Sequence, residues 1–138
     1  MTGYLLDTNV ISETRKSSPD AGVIAFLSAA GAEALFLSVL TLGELRKGVA
    51  LKRRTDPVAS SGLATWVEGI ATNFADRILS IDTATALRWG ELSAGGNPPV
   101  IDTLIAATAL SRDLTLVTRN TKDFQSSGVL LLDPWRAR

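Results

Sequence analysis

The chain has 138 residues, 46% of them hydrophobic, and its 14 Lys and Arg balance 14 Asp and Glu. This size and composition predict one globular domain over residues 1–138, with enough core to need neither disulfide nor structural metal. The sequence contains no cysteine and no histidine. Their absence excludes Ser-His-Asp and Cys-His nucleophiles, zinc sites built on those ligands, and ribonucleases that work through paired histidines. Catalysis would have to use carboxylates, hydroxyls, amides, Lys, Arg, Tyr or a cation held by oxygen.

The sequence shows no targeting or membrane signal. The first residues lack a basic region and reach an acid at Asp7, which excludes a secretory signal peptide. No apolar run approaches the ~20 residues of a membrane span. We therefore expect a soluble cytoplasmic protein without a membrane contact, and its zero net charge argues against non-specific coating of nucleic acid.

In the first half of the chain, short apolar runs alternate with helical patterns. A strand is predicted at 3–6, followed by a helix from Val10, for which Asn9 lies closer to the cap position than Asp7. Ser18 is predicted to cap a second helix with Pro19 at its first position, and the apolar stripe of this helix extends from Ala21 to Ala30. A second strand at 34–38 leads into a long helix from Val39, and residues 53–57 separate it from another helical pattern at 63–74.

The second half repeats the alternation. A strand is predicted at 77–81, followed by a helix at 84–92 that Asp82 caps, and then a nearly all-apolar helix at 100–110. A fourth strand at 114–117, a loop at 118–124 and a short last strand at 129–132 complete the chain. The predicted fold class is α/β: a central parallel sheet of four to five short strands with helices on both faces. In such sheets, ligands bind beyond the carboxyl ends of the strands.

Four acidic residues stand near those strand ends in apolar surroundings. Asp7 closes the first strand, where a helix cap would also explain it. Glu44 lies close to the buried side of its helix, although a surface position is equally compatible with the sequence. Asp102 shares a helical face with Ile105 and other apolar residues, but it also lies in the first helical turn, which favours an anion. Asn120 and Asp123 follow the fourth strand, where such residues are common turn formers.

Taken together, these acids indicate a cation site. In a parallel sheet the strand ends after Leu6, Leu37 and Val117 would lie side by side. Two carboxylates ~4 Å apart repel by ~4 kcal/mol at an effective dielectric constant of about 20, so a converging set needs a cation. Oxygen ligands alone favour Mg²⁺ or Mn²⁺ over zinc. Such an ion activates water and stabilises in-line displacement at phosphorus.

Cationic and aromatic residues offer weaker signals. Five cations lie within nine positions, with no acid among them: Arg46, Lys47, Lys52, Arg53 and Arg54. They fit a solvated helix end or a surface that faces phosphates, with no preference between the two. The three tryptophans lie among apolar residues, which favours core or partner contacts over stacking platforms.

Four motifs, spread over essentially the whole chain and in the right order, carry a resemblance to a known family. They lie at Leu5–Glu13, Leu37–Gly48, Pro99–Asp102 and Leu116–Phe124. Together they resemble the PIN-domain ribonucleases, and in particular the VapC/FitB-type toxins of bacterial toxin–antitoxin pairs.

The resemblance implies a Mg²⁺- or Mn²⁺-dependent endoribonuclease with an acidic, metal-binding catalytic centre of Asp7, Glu44, Asp102 and Asp123. Thr8, Thr118 and Asn120 would support this centre. It also implies a homodimer that a small antitoxin protein holds inactive. Cations that flank the acidic motifs would bind the RNA backbone: Arg46, Lys47, Arg53, Arg54, Arg119 and Lys122. Without histidine we expect a metal-activated water to be the nucleophile, leaving 5′-phosphate and 3′-hydroxyl ends.

Two other classes stay open from the sequence. A receiver-like signalling domain is also a small α/β fold with clustered acids, a Thr and a Lys. It needs adjacent acids after its first strand, whereas Asp7 stands between Leu6 and Thr8. A catalytically silent PIN-fold binding module would have no reason to keep four mutually repulsive acids.

Overall fold

A computed structural model of the chain describes residues 3–136. Its sheet has five short parallel strands in the order β3-β2-β1-β4-β5. They are β1 (Tyr4–Leu6), β2 (Leu35–Ser38), β3 (Ile78–Leu79), β4 (Thr115–Val117) and β5 (Leu131–Leu132). The predicted parallel sheet is confirmed. The edge strands are shorter than predicted because the ladder covers only part of each apolar run; Leu130, for example, is 73% exposed.

Six α-helices connect and cover these strands within residues 3–136. They are α1 (Thr8–Thr14), α2 (Ala21–Ala30), α3 (Val39–Thr55), α4 (Pro57–Asn73), α5 (Thr83–Ser93) and α6 (Val100–Ser111). Three short 3-10 helices also form, at Ala32–Ala34, Ala75–Arg77 and Thr121–Ser127. None of the helices in this part of the chain is long and apolar enough to cross a membrane.

Several helix boundaries differ from those predicted. Asp7, and not Asn9, caps α1: its backbone is extended and its side chain accepts the Thr8 N–H at 2.9 Å. Asp20, and not Ser18, caps α2 by accepting two backbone N–H groups. The predicted loop at 118–124 is wrong in its second half. There the chain winds into the 3-10 helix that begins at Thr121, and Gly128 follows it with φ +79°.

The core has two layers, one on each face of the sheet. Because side chains alternate along a strand, Leu5 and Leu116 face one way, packing with α6 residues such as Ile105. Leu6 and Val117 face the other way, in a cluster formed with α1, α2, α3 and α4. Each fully buried leucine contributes ~1.5–3 kcal/mol to folding. Apolar helices on both faces therefore explain why the strands read as continuous apolar runs.

The topology positions the polar residues of the chain. Strand β1 lies between β2 and β4, so the segments that follow these three strands leave the same edge of the sheet. The Asp7 N–H bonds the Val117 carbonyl at 2.9 Å, which carries the pairing one residue past β1. Asp7 and Thr118 thus begin the connections after β1 and β4, and Ser38 ends β2, at the carboxyl edge of the sheet.

Candidate active site

Asp7 is the most deeply placed acid at this edge, with 8% of the residue exposed. Its Oδ2 accepts the Thr118 hydroxyl at 2.9 Å and the Asn9 amide at 3.4 Å, while Oδ1 accepts the Thr8 N–H. Burial raises the pKa of Asp7, and the charges of Asp102 and Glu44 add to that rise, while the hydrogen bonds from Thr118 and Thr8 oppose it. The protein thus holds this carboxylate in one orientation at a cost in desolvation.

Thr118 connects Asp7 to the loop that follows β4. Its buried hydroxyl donates to Asp7 and accepts from the Asn9 side chain at 3.3 Å and the Asn120 N–H at 3.0 Å. Asn9 in turn accepts the Arg119 N–H at 3.3 Å. The sequence suggests Asn9 only as a helix cap, and its position two residues after Asp7 is the one local signal of this role. These bonds fix the loop against the start of α1.

Glu44 lies in the second turn of α3 and is exposed, so the expectation that it lies close to the buried side is wrong. Thr41, Leu45 and Val49 form the buried stripe of α3. The Thr8 hydroxyl donates to Glu44 Oε1 at 2.6 Å and lies 3.2 Å from the hydroxyl of the fully buried Thr41. The start of α1 therefore holds the Glu44 carboxylate, and Thr41 is a contact that sequence reasoning missed.

Asp102 stands in the first turn of α6 and is half-buried, while the residues of its face, including Ile105 and Ala106, are buried as predicted. Burial raises the pKa of Asp102, and the charges of Asp123 and Glu44 raise it further. Asp123 is exposed at the start of the last 3-10 helix. It lines, with Asp102 and Phe124, a cavity of about 60 Å³, which is room for only a few water molecules.

The structure thus brings the four acids into one electrostatic neighbourhood. Asp102 interacts with each of the other three, and Asp7 also interacts with Glu44. Within residues 3–136, no group of three or more acids has the spacing of a closed metal site. The donor chemistry nevertheless fits a hard cation, because every side-chain donor of the four is a carboxylate oxygen. Burial, and after it the charges of neighbouring acids, raises the pKa of Asp7 and of Asp102, and a cation would offset both effects.

The predicted cations fall into two groups. Arg46, Lys47, Arg53 and Arg54 are exposed on α3, with the last two in its final turn. Nine residues of helix put Arg53 ~14 Å along the axis from Glu44. Arg119 and Lys122 instead follow β4 and line a cavity of about 310 Å³ together with Asp123. The second group adjoins the acids directly.

Comparison with known proteins gives concordant matches. Residues 4–128 match the family described as the PIN domain. The chain is 36% identical over 141 residues to plasmid stability protein StbB of Pseudomonas syringae pv. tomato, covering 96% of this chain and 99% of that protein. It is 36% identical to VapC ribonuclease Y4jK of Sinorhizobium fredii, with coverage of 95% and 96%. It is also 36% identical to toxin FitB of Neisseria gonorrhoeae, with coverage of 95% and 97%.

Solved structures share the fold over almost the whole chain. The crystal structure of FitAcB from Neisseria gonorrhoeae aligns with a TM-score of 0.87 at 36% identity, covering 96% of this chain and 99% of that one. DNA-bound VapBC from Salmonella typhimurium aligns with a TM-score of 0.79 at 27% identity, covering 97% and 99%. The similarity therefore includes the strands, helices and carboxyl edge described above.

Proposed function

This chain belongs to the PIN-domain family, and we propose that it is a metal-dependent endoribonuclease that acts as the toxin of a toxin–antitoxin pair. The observation that carries the proposal is the interaction of Asp7, Glu44, Asp102 and Asp123 at the carboxyl edge of the sheet. The names of its relatives, a VapC ribonuclease and toxin FitB, support both parts. The receiver-like alternative is excluded by the family match and by the strand order, which differs from the 2-1-3-4-5 order of that fold.

We propose that the four acids hold Mg²⁺ or Mn²⁺. When bound, such an ion lowers the pKa of water and stabilises negative charge on the phosphoryl oxygens. Asp7 and Asp102 would be the principal ligands. Burial and neighbouring charges raise the pKa of both groups, so their ionised forms gain most from a bound cation. Asp123 would complete the set from the exposed side of the cavity that it shares with Asp102.

The other groups of the site hold the acids in place. Thr118 and Asn9 orient Asp7, and Thr8 holds Glu44 by a 2.6 Å hydrogen bond. A carboxylate fixed in this way is available to orient water and accept its proton, which is the role that we give to Glu44. With no histidine in the chain, no unperturbed pair of near-neutral acid and base exists to drive attack by the RNA 2′-hydroxyl. Hydrolysis then leaves a 5′-phosphate and a 3′-hydroxyl.

The partners follow from the same comparison. One relative is named toxin FitB, and the VapBC family, which the structure from Salmonella typhimurium represents, is described as one of toxin–antitoxin systems. We therefore propose a small antitoxin as the protein partner of this chain and a homodimer as its own assembly. Its substrate, cellular RNA, leads us to place it in the cytoplasm. The cations on α3 and after β4 would contact RNA phosphates: Arg46, Lys47, Arg53, Arg54, Arg119 and Lys122.

The test is cleavage of a defined RNA by the purified chain. We expect cleavage with Mg²⁺ or Mn²⁺, none with excess chelator, and at least a hundredfold loss of kcat in Asp7→Asn and Asp102→Asn. Glu68→Gln, which neutralises an exposed acid on α4, is the matched control and should retain full activity. Fragment ends are identified by phosphatase and ligase sensitivity.

Each outcome has a definite reading. Cyclic 2′,3′-phosphate ends or full activity in chelator would overturn the proposed chemistry. No cleavage of any RNA by a folded parent protein would favour the catalytically silent binding module. Inhibition by a small protein encoded next to this chain's gene would support the toxin assignment.

A further inference from the structure

Arg119 is a cation beside four acids that pairs with none of them. It follows Thr118 directly, and its backbone N–H is tied to Asn9, so its Cα is fixed next to Asp7. Within residues 3–136, however, the Arg119 side chain forms neither an ion pair nor a hydrogen bond, whereas several other arginines of this region form ion pairs. Its guanidinium instead lies over the Trp135 ring, 5.0 Å from the centroid.

Trp135 is an anchored platform. Part of its ring packs against the core cluster that contains Leu6 and Val117, and its backbone N–H donates to Asp133 Oδ1 at 2.9 Å. The sequence predicts core or partner contacts for this tryptophan, and the structure shows a core contact for part of its side chain. The remaining surface attracts a guanidinium by the charge distribution of the indole, worth ~0.5–1 kcal/mol at an exposed site. Stacking holds Arg119 without using any of its five N–H donors.

Arg119 lines an open cavity of about 310 Å³ together with Lys122, Gln125 and Arg136. Two acids also line it. Asp133 already accepts the Trp135 backbone N–H and forms an ion pair with Arg136 at 3.7 Å. Asp123 is one of the four acids of the proposed metal site. What remains for a ligand is a planar cation, an ammonium and an amide, which is the donor set that binds a phosphate group.

We propose that the Arg119 guanidinium, held by Trp135, binds a phosphate of the RNA backbone adjacent to the phosphate that is cleaved. Trp135 is then a positioning residue: it keeps the cation off the carboxylates, which are left for the metal, and directs its donors to the substrate. This inference rests on the proposed ribonuclease function. It adds a second phosphate-binding site, formed by Arg119 and held in place by Trp135.

The experiment pairs protein variants with RNA in which one phosphate is made neutral. A set of otherwise identical substrates carries a single methylphosphonate at successive positions flanking the cleaved bond, with a 2′-O-methyl group on the preceding nucleotide to prevent self-cleavage. The reference substrates carry the 2′-O-methyl group and a normal phosphate. KM and kcat are measured for the parent, Arg119→Ala and Arg119→Lys.

For the parent, we expect one methylphosphonate next to the cleaved bond to raise KM about tenfold, the value of one charge-assisted hydrogen bond. Arg119→Ala should raise KM for the reference RNA by the same factor and be insensitive to that methylphosphonate, with kcat little changed. Such non-additivity identifies a direct contact. Arg119→Lys keeps the charge but lacks the fork and stacks less well, so it should recover only part of the coupling.

Trp135 is tested by the same comparison of protein variants with methylphosphonate substrates. Trp135→Leu should reduce the coupling between Arg119 and the methylphosphonate severalfold, and Trp135→Phe should retain most of it, because both variants keep an apolar side chain but only phenylalanine keeps a π face. A purely structural role of Trp135 would change the melting temperature without changing the coupling. The matched control is Arg88→Ala, an exposed arginine on α5 whose KM profile should equal that of the parent.

These measurements separate a failure of the Arg119 site from a failure of the proposed ribonuclease function. Additive effects of Arg119→Ala and of the methylphosphonate at every position, in a parent that cleaves RNA, overturn this inference and leave the proposed function standing. A folded parent that neither cleaves nor binds RNA overturns the proposed function and, with it, the ligand assigned here. Coupling in Trp135→Leu equal to that of the parent removes the positioning role and leaves the Arg119 site.

Discussion

At the scale of single residues, the hydroxyl of Thr118 is the group on which the orientation of Asp7 most depends. It is fully buried, donates to Asp7 at 2.9 Å and opposes the rise in the Asp7 pKa. Thr118→Val keeps the shape and removes the donor. We expect it to lower the free energy of unfolding by ~1.5–3 kcal/mol, the range for a hydrogen bond to a charged group, and to reduce kcat. Urea unfolding and the RNA cleavage assay measure the two effects.

Thr118→Ser is the matched control, since it keeps the hydroxyl and loses only a methyl group. Its activity should stay close to that of the parent, although loss of the buried methyl group costs ~1 kcal/mol of stability. If Thr118→Val cleaved RNA as fast as Thr118→Ser, the hydroxyl would have no part in positioning Asp7.

The raised pKa of Asp102 predicts an unusual pH dependence of stability. A carboxyl group whose pKa is higher in the folded protein than in the unfolded chain stabilises the fold below its ordinary value of 3.8, and this contribution is lost as the pH rises through the folded pKa. In chelator, Asp102→Asn should therefore be more stable than the parent at about pH 7, because it lacks the buried, repelled charge. The difference should shrink as the pH falls towards 4.

Urea unfolding at a series of pH values measures this difference. Glu68→Gln, the same change at an exposed position on α4, should show no comparable trend. A parent that is more stable than Asp102→Asn at about pH 7 without metal would mean that the Asp102 carboxylate is not under strain from its neighbours.

The sequence points to the four acids and, through the family resemblance, to Thr8, Thr118 and Asn120 as their supports, but it does not reveal every residue that holds the acids in place. Asp7 and Asp102 were recognisable because a carboxylate is out of place in an apolar segment at a strand or helix end. Asn9, Thr41 and Trp135 were not, since each acts on a residue from another element. Such contacts depend on tertiary packing, and composition and spacing do not encode them visibly.

At the scale of secondary structure elements, the basic end of α3 is the part of the proposed RNA surface farthest from the acids. Arg53 and Arg54 lie in its last turn and are exposed, where they also suit the helix dipole. If both contact phosphates, the Arg53→Ala/Arg54→Ala double variant should weaken binding to RNA of any sequence. It should reduce the slope of log affinity against log salt by about 1.4, at about 0.7 per phosphate of a single strand.

Binding is measured with the Asp7→Asn background to prevent cleavage. Arg88→Ala provides the comparison, and its slope should equal that of the background protein. An unchanged slope in the double variant would assign Arg53 and Arg54 to a solvated helix end. Because these residues are remote from Glu44, kcat in the Asp7-containing protein should not change at saturating RNA.

Hydrophobic periodicity predicted the long helices better than it predicted the short strands. A break between α3 and α4 was predicted because Asp56 and Pro57 carry a local signal: Asp56 accepts the Ala59 N–H at 3.0 Å and Pro57 begins α4. The predicted bounds of this break, 53–57, and of the helical pattern after it, 63–74, were wrong, because α3 continues to Thr55 and only Asp56 separates the two helices. Strand β3 was overestimated, because only Ile78 and Leu79 of its apolar run meet β2. Arg77, just before it, donates hydrogen bonds to the backbone carbonyls of Ala32, Leu35 and Asn73. No local sequence pattern predicts these contacts.

At the scale of the whole molecule, the zero net charge conceals a separation of acids and bases. Negative charge gathers at the carboxyl edge of the sheet, while the cations on α3 and after β4 flank it. A polyanion is then attracted by the flanks and repelled by the centre until a cation neutralises the centre. Metal binding and RNA binding should therefore reinforce each other, and the fold itself should respond to metal.

Binding of a metal ion should stabilise the folded chain. A ligand that binds only the folded state stabilises it by mass action, by ~2.7 kcal/mol when its concentration is 100 times Kd, so Mg²⁺ or Mn²⁺ should raise the melting temperature by several degrees. Asp102→Asn should start from a higher melting temperature in chelator and lose most of the rise. Asp82→Asn is the control with the opposite expected effect in chelator. Hydrogen bonds from Thr85 and the Arg112 charge lower the Asp82 pKa, so the Asp82 carboxylate stabilises the fold. Removing this charge should lower the melting temperature in chelator and leave the rise with metal unchanged. A melting temperature of the parent that does not move at millimolar metal, or an equal rise in Asp102→Asn, would show that the acids at the carboxyl edge do not form the metal site.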